Sequence, residues 1–147
     1  MPQKIVIASD HAGFSLKKSL VAYLKRQGYN VLDLGPSTGE NALDYPLKAE
    51  EVANEIKKNS TTKGIAICGT GIGMSIAVNR YPFIRGALAY KQNAVRLARQ
   101  HNNANVLCLG GRITSPKTAK TLVDTFLNTK FEGGRHERRV KELGELK

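Results

Sequence analysis

Residues 64–79 read GIAICGTGIGMSIAVN. Gly64 to Cys68 is a short, continuous apolar run, the pattern of a strand buried on both faces. Gly69-Thr70-Gly71-Ile72-Gly73 is a glycine-rich turn, and the residues that follow form a helix to about Asn79. A buried strand, a tight turn and a helix are the parts of a parallel α/β fold, because a parallel sheet needs helices over both faces.

The same alternation runs outward in both directions. Lys4 to Ser9 (KIVIAS) is a β-branched strand, and a helix follows from about Phe14 to Gln27, with Leu16, Leu20 and Leu24 on one face and Gly28 closing it. Val31 to Leu34 is a second strand. A loop rich in Gly, Pro, Ser and Asn then leads to Asp44-Tyr45-Pro46, where the proline suits the first turn of a helix reaching about Lys58. Beyond residue 79, Gly86 to Tyr90 reads as a strand, Asn93 to Gln100 as a helix, and Asn105 to Leu109 as a strand ending in Gly110-Gly111-Arg112. Ser115 and Pro116 supply an N-cap and a first helical residue for a helix to about Asn128. The expected fold is a Rossmann-like three-layer α/β/α sandwich with a parallel sheet of about five strands. At 147 residues the expectation is a single domain over 1–147, with a basic tail from 131 to 147.

Composition narrows the function classes. An apolar content of 41% and a charged content of 24% are those of a globular domain. No apolar run approaches the roughly 20 residues of a membrane span, and the first residues enter a strand instead of a signal-peptide pattern, so no membrane contact and a cytoplasmic location are expected. Cys68 and Cys108 are too few for a disulfide framework and read as reduced thiols. His11, His101 and His136 stand far apart without metal-ligand spacing, so no metal and no cofactor are expected. The excess of 23 basic over 12 acidic residues favours an anionic partner. Pairs such as Lys17-Lys18 read as solvated helix faces. With aromatics at 6% and no Trp, a stacking surface for single-stranded nucleic acid is poorly supplied, so no nucleic acid is expected.

In open parallel sheets ligands bind beyond the carboxyl ends of the strands. Those ends carry Asp10-His11, Cys68 with its turn, and Gly110-Gly111-Arg112. The turn opens a helix, so its backbone N–H groups are expected to be free for an anion. It lacks the third glycine of a dinucleotide fingerprint, since Met74 stands there, and no Gly-Lys-Ser/Thr follows as in a P-loop. A thiol near a helix N-terminus has a lowered pKa, and the thiolate is the form that can act as a base. Cys108 reads as an inert buried thiol. Arg135 and Arg139, at i and i+4, share one side of a helix and suit a phosphate.

SDHAG (9–13), DYP (44–46), CGTGIGMS (68–75), HNNANVLCLGGR (101–112) and GGRHERRV (133–140) together resemble the ribose/galactose isomerase family, which includes type B ribose-5-phosphate isomerases and allose- and galactose-6-phosphate isomerases. The resemblance implies interconversion of ribose 5-phosphate and ribulose 5-phosphate through an enediol(ate), in the non-oxidative pentose phosphate pathway, without a cofactor. It implies Cys68 as the base, His101 as the group that opens the furanose ring, and Thr70 as an aid to proton movement. Asp10 and Asn102 would hold sugar oxygens, and the backbone of Gly69, Gly71, Ile72 and Gly73 would stabilise the enediolate. His11, Arg112, Arg135 and Arg139 would address the phosphate, and Tyr45 would line the pocket. The partner is then a small sugar phosphate, in a homodimer or dimer of dimers with the basic tail at the interface. Asn103 stands where the family carries Asp, which puts any contact of that carboxylate in doubt.

Topology gives a separate argument for shared sites. His101 precedes the fifth strand and belongs at its amino edge, whereas Cys68 ends a strand at the carboxyl edge. A strand of about five residues spans about 17 Å, too far for both to touch one sugar in one subunit. His101 is therefore expected to act in trans across a twofold axis. The alternatives are a six-carbon phosphosugar isomerase, a non-catalytic phosphate- or nucleotide-binding module, and a nucleic-acid binder.

Overall fold

The computed structural model describes residues 2–147. The elements alternate as the sequence predicts: β1 (Lys4–Ser9), α1 (Phe14–Arg26), β2 (Asn30–Asp33), α2 (Tyr45–Lys58), β3 (Lys63–Cys68), α3 (Ile72–Val78), β4 (Gly86–Leu88), α4 (Gln92–Asn102), β5 (Val106–Gly110), α5 (Pro116–Asn128) and α6 (Arg135–Glu145). All strand pairs are parallel, in the order β2-β1-β3-β5-β4.

Alternate side chains of each strand feed two cores. Ile5, Ile7, Ile65, Ile67, Leu107 and Leu109 point to the face covered by α1, α4 and α5. Val6, Ala8, Ala66, Cys68, Val106 and Cys108 point to the face covered by α2 and α3. This is why the strands read as unbroken apolar runs. The helices that follow β1 and β3 lie on opposite faces, so the chain changes direction between these two neighbours, and a crevice opens beyond their carboxyl ends.

Helix starts follow local chemistry. Ser115 Oγ accepts the Thr118 N–H at 3.2 Å, and Pro116 occupies the first turn of α5. Three expectations need correction. β4 ends at Leu88 and not at Tyr90. α4 runs to Asn102, so His101 and Asn102 lie in its last turn instead of following it; Asn103 closes the helix at φ 49°. Lys17 is not on a solvated face: it is 2% exposed and grips Asp33 with Nζ–O distances of 2.8 and 2.9 Å. A buried ammonium needs such a partner. Among the described residues no helix is long and apolar enough to cross a membrane.

Candidate functional site

Three segments named from the sequence are laced together at the carboxyl edge. Asp10 N–H donates to Ile67 O at 3.1 Å, Gly111 N–H to Cys68 O at 2.8 Å, and Arg112 N–H to Gly69 O at 3.0 Å. The loops after β1, β3 and β5 therefore form one surface around Cys68, which is 5% exposed.

Within that surface several polar groups have defined hydrogen-bond partners. Cys68 Sγ accepts the Gly71 N–H at 3.1 Å. Thr70 Oγ1 accepts the Ile72 N–H at 3.1 Å, and Thr70 O accepts the Tyr90 hydroxyl at 2.8 Å. The expectation that all the turn amides stand free is thus corrected: those of Gly71 and Ile72 are spent on the sulfur and on Thr70. Asp10 is buried, and its Oδ1 accepts the Gly13 N–H at 3.0 Å. His11 is half-buried, and its Nδ1 accepts the Leu43 N–H at 3.1 Å. The exposed Arg112 reaches over the turn: its Nη1 lies 3.1 Å from where a Cβ on Gly69 would stand. The Tyr45 ring lies against Gly73, 2.7 Å from the corresponding Cβ position.

Cys108 lies on the same face of the sheet, wholly buried, with its thiol pushed up by desolvation and then by nearby Cys68. Burial of that kind makes it inert.

The remaining residues named from the sequence gather elsewhere. α4 returns antiparallel to the strands, and Asn103 O at its end accepts Arg85 Nε at 2.7 Å beside the start of β4. His101 and Asn102 therefore sit at the amino edge of the sheet, opposite Cys68. Arg99 ties this end to the chain that leads into α6, donating to Thr129 O at 3.1 Å, Asn103 Oδ1 at 2.9 Å and Ala104 O at 2.6 Å. Asn103 thus bonds to both Arg85 and Arg99 at the end of α4. Glu132 N–H donates to Gln100 O at 3.1 Å, which sets α6 and its exposed Arg135 and Arg139 beside His101.

The histidines separated in sequence are neighbours here. His101 and His136 stack with centroids 4.3 Å apart and planes 13° from parallel. Glu132 Oε1 lies 3.6 Å from Nε2 of each. Burial, then His101 and Arg135, push the His136 pKa down. These three side chains bring ligand atoms within 4.8 Å of one another. A metal takes an imidazole nitrogen in the ring plane, and two nearly parallel planes this far apart share no such point. The arrangement fits a stacked pair with a bridging carboxylate. Glu132 and the pairing of His136 with His101 left no mark in the sequence, because Glu132 precedes α6 and is turned toward the histidines by Gly133 and Gly134, both at positive φ. Tyr90 and the Leu43 amide left no signal.

A cavity of about 680 Å³ opens near the amino edge, lined by Tyr81, Pro82, Ile84, Asn102, Leu143 and Leu146 among others. Cys68 does not line it. Its lining mixes those mostly apolar side chains with Asn79, Arg80, Arg85 and Lys147.

Comparison with known proteins gives a consistent result. The family model for ribose/galactose isomerases matches residues 5–143. The chain is 46% identical to a probable ribose-5-phosphate isomerase B of Mycoplasma genitalium over 144 residues, covering 97% of this chain and 95% of the relative. It is 41% identical to ribose-5-phosphate isomerase B of Escherichia coli over 141 residues, covering 96% and 94%. Among solved structures, a ribose 5-phosphate isomerase from Thermotoga maritima is similar with a TM-score of 0.94 at 50% identity, covering 98% of this chain and 99% of that one. The Mycoplasma genitalium enzyme with bound ribulose-5-phosphate matches with a TM-score of 0.94 at 45% identity, covering 99% and 96%.

Proposed function

Because the chain belongs to the ribose/galactose isomerase family, we propose that it interconverts ribose 5-phosphate and ribulose 5-phosphate, with Cys68 as the base. The observation that carries this reading is the Gly71 N–H aimed at Cys68 Sγ, at the edge where Asp10, His11 and Arg112 gather. The pentulose phosphate held by the Mycoplasma genitalium relative supports a five-carbon substrate.

The chemistry needs little more. In the open-chain aldose the C2 proton is adjacent to the carbonyl. The Cys68 thiolate takes it, the C–H electron pair becomes the C1–C2 double bond, and the carbonyl electrons move to O1. Return of the proton to C1, with transfer of the O2 proton to O1, gives the ketose. Hydrogen moves from C2 to C1 and from O2 to O1, so no external oxidant is needed. Thr70 Oγ1 already accepts from Ile72, which leaves its own proton for a sugar oxygen. Asp10 Oδ1 is occupied by Gly13, which leaves Oδ2 for a sugar hydroxyl. Preorganised donors at the developing oxyanion are worth about 3 kcal/mol each. The turn amides not engaged internally, with Arg112 above them, are suited to that task.

His101, Asn102, Arg135 and Arg139 complete the site in this reading from a second copy of the chain. His101 opens the furanose, Asn102 holds a sugar oxygen, and the arginines take the phosphate. Leu47, Ile76, Leu143 and Leu146 are between 45 and 72% exposed and offer apolar surface for such a homodimer, with the basic tail at its interface. A tetramer would pair two such dimers. The reaction belongs to the non-oxidative pentose phosphate pathway and to the cytoplasm.

The test is incubation of the purified protein with ribose 5-phosphate in deuterated water. Wild type is expected to form ketose with deuterium exchange of the transferred proton, and Cys68→Ala to do neither. Ketose formation that survives the substitution unchanged would remove Cys68 from the role of base.

A further inference from the structure

The loop between β2 and α2 folds back onto the end of β1, and its course is fixed at both ends. Gly35 N–H donates to Asp33 Oδ1 at 2.8 Å, and Gly35 O accepts Ser9 N–H at 3.1 Å. Asp33 is held by the buried Lys17, and Leu34 O accepts Lys48 Nζ at 2.8 Å. Farther along, Gly39 packs on the Phe14 ring, 3.1 Å from ring Cδ2 to where its Cβ would stand. At the far end Leu43 N–H meets His11 Nδ1 at 3.1 Å.

That last contact decides a proton position. A backbone N–H can only donate, so Nδ1 must offer its lone pair. In a neutral imidazole the proton then sits on Nε2, because which nitrogen is protonated follows from the bond the other one makes. Nε2 has no hydrogen-bond partner among the described residues. His11 thus holds a free N–H donor next to Asp10, just past the end of β1.

We propose that the main-chain amide of Leu43 is a positioning group that fixes His11 as the Nε2–H tautomer, so that a neutral imidazole presents a single N–H donor to the phosphate end of the substrate. The tautomer follows from this chain's own hydrogen bond; the identity of the anion rests on the isomerase reading. His11 then differs in kind from Arg112, Arg135 and Arg139, which bring charge. It contributes direction without adding a cation.

The experiment is long-range proton–nitrogen correlation on protein labelled with 15N-histidine, at a pH where the ring is neutral, with the His11 signals assigned by their loss in His11→Asn. Wild type is expected to show a protonated-type Nε2 and an unprotonated-type Nδ1, and inorganic phosphate to shift the Nε2 signal. Leu43→Ala keeps the amide and keeps the pattern. Leu43→Pro lacks the N–H, so its two nitrogens should move toward averaged positions. For the same variant KM for ribose 5-phosphate should rise about fivefold with kcat little changed, the effect of one weakened hydrogen bond. A wild-type spectrum with the proton on Nδ1 overturns the proposal, whether or not Leu43→Pro folds. An Nε2 signal indifferent to phosphate overturns the anion-donor role. Turnover on the same sample separates the two readings: active protein with an Nδ1 proton refutes the tautomer alone, and inactive protein with an Nε2 proton supports the tautomer and refutes the isomerase.

Discussion

The Gly71 amide points at the Cys68 sulfur across 3.1 Å, three residues along the same turn. Gly71 holds that aim with φ +83°, and a Cβ there would stand 2.7 Å from Leu88 Cδ1 and 2.9 Å from the Leu109 carbonyl carbon. Gly71→Ala must therefore push the turn away from β5 and carry the amide off the sulfur. We expect kcat to fall at least about tenfold, with a loss of stability of about 1–3 kcal/mol. Gly28→Ala is the control, since φ is +89° but nothing lies within 4 Å of its Cβ position. It should lose about 1 kcal/mol and keep its turnover. Steady-state kinetics and urea melts on both variants check this; unchanged kcat in folded Gly71→Ala would show that the amide does not serve the thiol.

The Lys17–Asp33 pair, buried only at its lysine end, gives an asymmetric prediction. Lys17 is 2% exposed, whereas the Asp33 side chain is 36% exposed. Removing Asp33 leaves a nearly buried ammonium without its carboxylate and frees Gly35 N–H, so Asp33→Ala should cost about 1–3 kcal/mol, less than a fully buried pair would because solvent reaches the Asp33 side. Lys17→Met removes the charge that needs a partner and keeps the aliphatic stem, so its cost should be much smaller. Chemical unfolding of both variants measures the difference. Equal losses would mean that the pair contributes through attraction, not through the penalty of an orphaned charge.

How much of this was legible before the fold was known depends on the reach of each signal. The strand at Gly64–Cys68 and the cap at Ser115-Pro116 are local, and they appear where the sequence puts them because apolar continuity and N-cap chemistry act over a few residues. The Asp10, Cys68 and Arg112 segments could be joined from topology alone, since parallel strands deliver their ends to one edge. The burial of Lys17 was hidden because its partner Asp33 lies on another element, at the end of β2. The His101–His136 stack was hidden because it depends on how α6 docks on α4. α4 was read two residues short because Asn103, and not a glycine, takes the left-handed cap. The Leu43–His11 bond uses a backbone group, which no side-chain pattern reports.

Lys63 begins β3 with its Nζ 5.8 Å from the centre of the Phe126 ring. Burial, and then the Arg99 charge, push its pKa down to about 8 from 10.5. Between those values the unfolded chain holds a proton that the folded chain has shed, so stability rises with pH across this window. The contribution is full above 10.5 and lost as pH falls through 8. Tyr23 works in the opposite direction above pH 10, because its bond to Asp124 holds the phenol above its ordinary 10.0. Urea unfolding between pH 7.5 and about 9.5 should show the rise, and Lys63→Met should be more stable than wild type at pH 7 and nearly flat across the window. A slope of the same size in the variant would assign the effect to another group.

His101 and Cys68 lie on opposite edges of one sheet, with β5 running its whole length between the end of α4 and Gly110, the register partner of Cys68. If both act on one sugar, each site must take its thiol from one chain and its imidazole from the other. Cys68→Ala and His101→Ala homodimers should then both be nearly inactive. In a heterodimer of the two, one site carries both lesions and the other carries none. Random exchange of an equal mixture makes half the dimers mixed, each with one intact site, so activity should return to about a quarter of wild type. The recovery should follow the rate of subunit exchange and vanish if exchange is blocked by cooling or by cross-linking each homodimer beforehand. Mixtures that exchange subunits, shown by mass spectrometry of differently labelled chains, yet recover nothing would refute the shared site. The apolar surface at Leu143 and Leu146 would then need another explanation.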